Sequence, residues 1–273
     1  MGRYFPFHCH PLTWSEVTAE IGRASGTAAD AAWTRLVELG GFPEPFLSED
    51  PRFWRRWKNL RWTQLFREDL RDLSRSLELD RIESLGTLLL EQATGQCNWS
   101  RLAARLQVSQ DSIARWVSHL EALRTIYLLR PWSRNIARSI LKEPRVFFTD
   151  WSWIADPGAR AENFMGSQIL ALLELWNDLG LGEFGLHYLR DKDGHEADLL
   201  ISRGDEPWMA LEVKKSSTSL APGFVAMAEK SGAKWNFQLV VDLAPVEADP
   251  FSRGPAALVV PARTFLDHLR PDL

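Results

Sequence analysis

YLRDKDGHEADLLISRGDEPWMALEVKK, Tyr188 to Lys215, is the stretch on which the reading of the chain turns. Glu196 to Ile201 and Met209 to Lys215 each alternate polar and apolar residues with a period of two, and Ser202 to Pro207 between them are turn residues, so a β-hairpin is predicted. Residues two apart on a strand share a face. Strict alternation puts Glu196, Asp198 and Leu200 on one side and Ala197, Leu199 and Ile201 on the other. On the second strand Glu212 and Lys214 share a face, opposite Leu211 and Val213. A register that joins the two polar faces brings Asp198 and Glu212 within reach of one divalent cation, with the Lys214 ammonium beside it. Two hard carboxylates suit Mg²⁺ or Mn²⁺. Such a cation acidifies water and neutralises charge growing on a phosphodiester, while the lysine orients water or phosphate. The pattern also has a plain reading, because Glu-x-Lys is common on solvated strands that do no chemistry.

Upstream, Ala161 to Asp178 carries Met165, Ile169, Leu173 and Trp176 on one helical face, with Glu162 on that face at the first turn. Metal ligation explains a carboxylate there, and so does the favourable position of negative charge near a helix N-terminus. An acidic residue on a first helix, Asp198 on a strand and Glu212-x-Lys214 on the next resembles the PD-(D/E)xK nuclease superfamily. Ala197 stands where that motif has its loosely kept proline. The resemblance implies an α/β domain with a mixed sheet flanked by helices. It also implies a metal site of Glu162, Asp198 and Glu212, with Asp198, Glu212 and Lys214 carrying the catalysis.

The chain has 273 residues, 45% of them apolar, enough for two compact units with sizeable cores. A formal net charge of −4 argues against a protein coated in basic surface, so nucleic-acid contact has to use local patches. Cys9 and Cys97 lack partners at disulfide or zinc spacing, which fits a reducing cytoplasm. Neither a signal peptide nor a run of eighteen apolar residues is present, and Pro6 breaks the myristoylation pattern, so no membrane attachment is expected. His8-Cys9-His10 reads as the end of a strand rather than as a metal site.

Residues 2 to 46 show little self-sufficient structure: an aromatic run, Thr13 or Ser15 as a helix cap before Glu16 and Glu20, and a turn at Gly40-Gly41-Phe42-Pro43. Gly2-Arg3, Pro11 to Glu16 and Gly41-Phe42-Pro43-Glu44 resemble the boundary in a prokaryotic family of AAA-type ATPases whose C-terminal region is a domain of unknown function. That resemblance implies a nucleotide-binding module first. The chain holds no G-x-x-x-x-G-K-[ST] loop, so no ATP site is found and ATP hydrolysis by this chain alone is not expected. An ATPase or other protein partner is the corresponding expectation.

Arg52 to Arg71, RFWRRWKNLRWTQLFREDLR, spaces Phe53, Trp54, Trp57, Leu60, Leu65 and Phe66 as on a helix, with basic residues around the other sides. Arginines interleaved with aromatics can bind single-stranded nucleic acid; the simpler reading is an amphipathic helix that buries its tryptophans. Leu85 to Arg130 then follows helix-turn-helix grammar, Trp99 to Leu106 and Asp111 to Leu123 about a turn at Val108-Ser109, with Ile126 to Leu129 as a strand of a wing. Gln110 and Arg115 are placed to read base edges, and Arg134, Arg138, Lys142 and Arg145 in the wing region to meet phosphates. Winged helices also serve as protein adaptors, and Asp111 beside a single arginine is poor equipment against phosphate.

Beyond Asp150 the expected order is helix (about 160–178), strand (184–189), the hairpin, helix (about 219–231), strand (237–242), strand (257–260) and helix (264–269). The chain divides into a remnant of an ATPase tail and linker (1–46), a helical segment (47–80), a winged helix-turn-helix (81–146) and a PD-(D/E)xK-like domain (147–273). The leading expectation is a Mg²⁺- or Mn²⁺-dependent nuclease acting on DNA, with Arg190 and Lys215 on the substrate backbone. The rival is a non-catalytic module, an inactive nuclease fold plus a winged helix, that binds nucleic acid or a protein as the effector of an ATPase.

Overall fold

In the computed structural model, which describes residues 4–21, 26–70, 78–133 and 143–273, helices come first and a mixed five-stranded sheet follows. The chain divides into two compact units, 1–24 with 129–142 and 164–273, and 25–128 with 143–163.

The second of these is largely helical: α2 (Thr27–Leu39), α3 (Pro43–Ser48), α4 (Pro51–Gln64), α5 (Leu79–Glu91), α6 (Trp99–Leu106) and α7 (Gln110–Ala122). Strands β1 (Ile126–Leu129) and β2 (Arg145–Phe148) pair as a two-stranded sheet. The region expected to have little structure thus contains α2, whose Ala29, Ala32, Trp33 and Leu36 are buried at helical spacing. Helix α4 runs on into a π-helical turn, Leu65–Asp69. Its apolar stripe is only partly covered: Trp57, Leu65 and Phe66 are buried, whereas Phe53 and Leu60 are 40% and 56% exposed. Lys58 lies over the Trp54 ring and donates to Trp153 O, the stacking arrangement expected of a helix that covers its own rings.

Helices α6 and α7 are joined by three residues. Asn98 caps α6 through Arg101 N–H, Gln107 turns the chain in the left-handed region (φ 53°), and Ser109 Oγ accepts from Ser112 N–H to start α7. Ile82, Leu85, Leu89, Ile113, Trp116, Val117 and Leu120 fill the core beneath them. Arg134, Arg138 and Lys142, placed by the sequence in a wing, lie outside the described residues, as does Arg71.

The sheet unit begins with an extended arm and α1 (Trp14–Ile21), opened by a capping box in which Thr13 Oγ1 accepts from Glu16 N–H while Glu16 Oε2 accepts from Thr13 N–H. His8-Cys9-His10 is not a strand end. Instead His8 Nδ1 meets Asp178 at 3.0 Å and His10 Nε2 meets Glu174 at 2.7 Å. Those carboxylates stand on α8 (Pro157–Asp178), which passes from the helical unit into the sheet unit.

The sheet runs β3 (Phe184–Arg190), β4 (Glu196–Arg203), β5 (Glu206–Lys214), β6 (Trp235–Val240) and β7 (Leu258–Pro261), in spatial order 3-4-5-6-7. The first two pairings are antiparallel and the last two parallel. Helix α9 (Pro222–Ser231) makes the crossover from β5 to β6, and α10 (Ala262–His268) follows β7. The hairpin turn is tighter than alternation suggests, because β4 and β5 extend to Arg203 and Glu206 and leave only Gly204 and Asp205 between them. Gly204 has φ 56°, the positive value a two-residue hairpin needs at its first central position. Rings at Trp176, Phe184, Trp208, Trp235 and Phe251 succeed one another with centroids 5.2 to 6.0 Å apart, an apolar spine across the sheet. No helix of the described residues is long and apolar enough to cross a membrane.

Candidate active site

The hairpin register places the two acidic residues. Leu199 faces Leu211 and Leu200 faces Ala210, and Asp198 and Glu212 are the residues next after the Leu199–Leu211 pair on their two strands. There Asp198 Oδ2 accepts the backbone N–H of Val213 at 2.9 Å, so the side chain of β4 bonds the β5 backbone just past the last paired residues.

One part of the strand pattern does not hold. Between β3 and β4 the register shifts from His187 opposite Leu200 to Leu189 opposite Ala197, so Tyr188 faces two residues, Asp198 and Leu199. An extra residue of this kind is a β-bulge, which resets alternation and redirects a side chain. Leu200 accordingly packs with Ala197, Leu189, Ala210 and the α9 residues Phe224 and Met227, and does not follow Glu196 and Asp198. A period of two counted on one strand cannot register a residue inserted relative to its neighbour.

Both acids are deeply buried, Asp198 at 7% exposure and Glu212 at 6%. Lys214 Nζ donates to Glu212 Oε1 at 2.6 Å, while Glu212 Oε2 is buried with no hydrogen-bond partner. Burial first, and the neighbouring Asp198 charge second, push the Glu212 carboxyl up to about 7, against the opposing pull of Lys214. A buried acceptor left unpaired is costly and calls for a donor or a cation.

Across β5–β6, Glu212 lies beside Gln238, a fully buried carboxamide. Its Nε2 donates to the carbonyls of Ser217 and Ser219, and its Oε1 accepts from Ala221 N–H, fastening the loop from β5 to α9. Sequence reasoning passed over Gln238; a carboxamide between the apolar residues Phe237 and Leu239 of WNFQLV was its signal.

The remaining candidates are distributed as follows. Glu162 belongs to the helical unit, where its Oε1 accepts from Arg145 Nη1 at 3.0 Å; both side chains are largely buried, so Arg145, expected to meet phosphate, is instead a buried ion-pair partner. Arg190 Nη1 reaches Glu196 Oε2 at 3.4 Å, and Lys215 Nζ meets Asp242 Oδ2 at 2.5 Å. In the helical unit Gln110 is exposed in the first turn of α7, and Arg115 is exposed but donates to both oxygens of Glu78, which also accepts from Trp116 Nε1. Arg115, Arg190 and Lys215 therefore each have a carboxylate partner within the chain, which weakens them as phosphate contacts.

Residues 30–155 match a domain of unknown function, DUF8612, and residues 157–246 match another, DUF4143. The chain is 24% identical over 207 residues to the uncharacterized protein Rv2008c of Mycobacterium tuberculosis and to the uncharacterized protein Mb2031c of Mycobacterium bovis, covering 70% of this chain and 44% of theirs. It thus spans less than half the length of these curated relatives. No solved structure matches the chain.

Proposed function

We propose that the sheet unit is a metal-dependent phosphodiesterase of PD-(D/E)xK type, a nuclease acting on DNA. Asp198 and Glu212 are its cation ligands and Lys214 its orienting ammonium. The observation that carries this reading is the buried Asp198–Glu212 pair, with Lys214 on one Glu212 oxygen and nothing on the other. Hard carboxylate oxygens in a dry site fit Mg²⁺ or Mn²⁺, and the unpaired Glu212 Oε2 is a donor atom available to one. When bound, such a cation supplies Lewis-acid activation of water and charge neutralisation at phosphate. Asp198 is held in place by the Val213 N–H, so it needs little reorganisation to act as a ligand. Lys214, one third exposed, can leave Glu212 and turn its ammonium to a phosphate oxygen or to the attacking water. The order α8, β3, β4, β5, α9, β6, antiparallel and then parallel, supports the fold assignment.

For α5 to α7 with β1 and β2 we infer a winged helix. Its exposed α7 face offers Gln110, Asp111 and an Arg115 already engaged by Glu78, which favours contact with protein over readout of duplex DNA.

Cleavage of end-labelled single- and double-stranded DNA and RNA, with Mg²⁺, Mn²⁺ or chelator, tests the reading beside Asp198→Ala and Lys214→Ala. Metal-dependent cutting of DNA that both substitutions abolish is expected. No cutting, or cutting unchanged in the variants, leaves a fold without the chemistry and favours the non-catalytic module.

A further inference from the structure

We propose that the exposed face of α4 binds single-stranded DNA, with its arginines on phosphates and the Phe53 ring against a base. Arg52, Arg55, Arg56 and Asn59 recur at helical spacing along one stripe, and all four are exposed. Phe53 stands one turn before Arg56 and is 40% exposed. Trp57 is buried, and Trp54 Nε1 donates to Ser152 Oγ, so packing within the helical unit accounts for the tryptophans but not for this stripe. The proposal stands apart from the cation site, because it concerns the helical unit alone and is tested without metal.

Other exposed arginines meet carboxylates: Arg67 pairs with Asp80 and Glu83, Arg105 with Glu91, and Arg115 with Glu78. Among the described residues no carboxylate pairs with Arg52, Arg55 or Arg56. The acids nearest in sequence are engaged, Glu49 with Arg35 and Asp50 in capping α4 through Arg52 N–H. Three and four residues from Arg55 and Arg56 stand Pro51, Arg52, Phe53, Lys58, Asn59 and Leu60, none of them acidic. Like charges at that spacing destabilise a helix, so the stripe costs the fold something that an outside anion offsets. Guanidinium forks match phosphate oxygens. The exposed ring beside them offers its face to an unpaired base, which a duplex does not present and an acidic peptide does not possess. Neither contact needs a 2′-hydroxyl, the group that marks RNA, so a DNA strand suffices.

Fluorescence anisotropy of labelled oligothymidylate with the full chain, in chelator so that no cutting intervenes, tests the proposal, with a thermal melt of each variant. Three phosphate contacts on a single strand give a salt slope of about −2, so wild-type affinity should fall about 20-fold between about 50 and about 200 mM salt. The triple variant Arg52→Gln, Arg55→Gln, Arg56→Gln should bind about 10-fold or more weakly at the lower salt and lose most of that slope. It should melt no lower than the wild type, since repulsion between like charges is removed. Phe53→Ala should weaken binding about 5-fold or more, the lower end for one lost stacked base. Arg115→Gln, which removes an arginine already engaged by Glu78, should bind as the wild type does. A wild type that binds no oligothymidylate at about 50 mM salt, or a triple variant that binds it normally, would overturn the proposal. So would a triple variant that melts well below the wild type, which would make these arginines structural, or an Arg115→Gln loss as large as the triple variant's. Tighter binding of duplex DNA, oligouridylate or polyglutamate than of oligothymidylate would overturn single-stranded DNA as the occupant.

Discussion

Asp150→Asn offers the sharpest quantitative test, because Asp150 is a buried acid, 3% exposed, in the core of the helical unit. Its Oδ1 accepts from the N–H and the Oγ of Ser152 at 3.1 and 2.7 Å, capping the short turn Trp151–Trp153, while its Oδ2 is buried without a partner. Burial raises its carboxyl from the ordinary 3.8 to about 6, although the Ser152 bonds and the charges of Lys58 and Arg61 pull the other way. A group whose pKa is higher in the folded state holds its proton more tightly there. The stability it contributes is complete below pH about 4 and is lost as pH rises through 6. A rise of about 2 in pKa corresponds to about 3 kcal/mol at 1.36 kcal/mol each. Asparagine keeps the cap but cannot ionise. Its buried amide N–H costs about 1–3 kcal/mol, and that cost does not vary with pH. Urea unfolding followed by tryptophan fluorescence should therefore show the stability of Asp150→Asn relative to wild type improving by about 3 kcal/mol from pH about 4 to about 7, most of it before pH 6. A difference that stays constant across that window would show that Asp150 remains ionised in the fold, and would refute the reasoning.

Two further outcomes test the same unit. Gly40 has φ 86° and ψ 175°, and a Cβ there would lie 2.7 Å from Asp150 Oδ1, so Gly40→Ala should cost about 2 kcal/mol or more in urea unfolding; a neutral result would contradict the close approach. Ser109→Ala removes the Oγ that accepts from Ser112 N–H at the start of α7 and should lower stability by about 1 kcal/mol in the same assay, whereas no change would mean that solvent caps the helix equally well.

The candidate site was unevenly legible. Asp198, Glu212 and Lys214 stood out because their spacing fits one hairpin, and the first two stand just past the last paired residues, Leu199 and Leu211. Glu162 was singled out as a carboxylate leading an apolar stripe; its bond to Arg145, seventeen residues upstream, has no periodic signature. The pairing of Arg115 with Glu78 was equally hidden, since partners brought together by packing leave no trace in local spacing.

Local alternation and turn chemistry along the chain determined the element types from α8 to α10, the position of the hairpin and the identity of its charged residues. They did so because side-chain period and backbone preference act within a few residues. The tertiary structure alone decided the bulge opposite Tyr188, the burial that raises Glu212 and leaves its Oε2 unpaired, and the carboxylate partners of Arg115, Arg190 and Lys215. Desolvation and charge pairing depend on which distant segments close over a group, and the spacing of neighbours along one strand does not encode that.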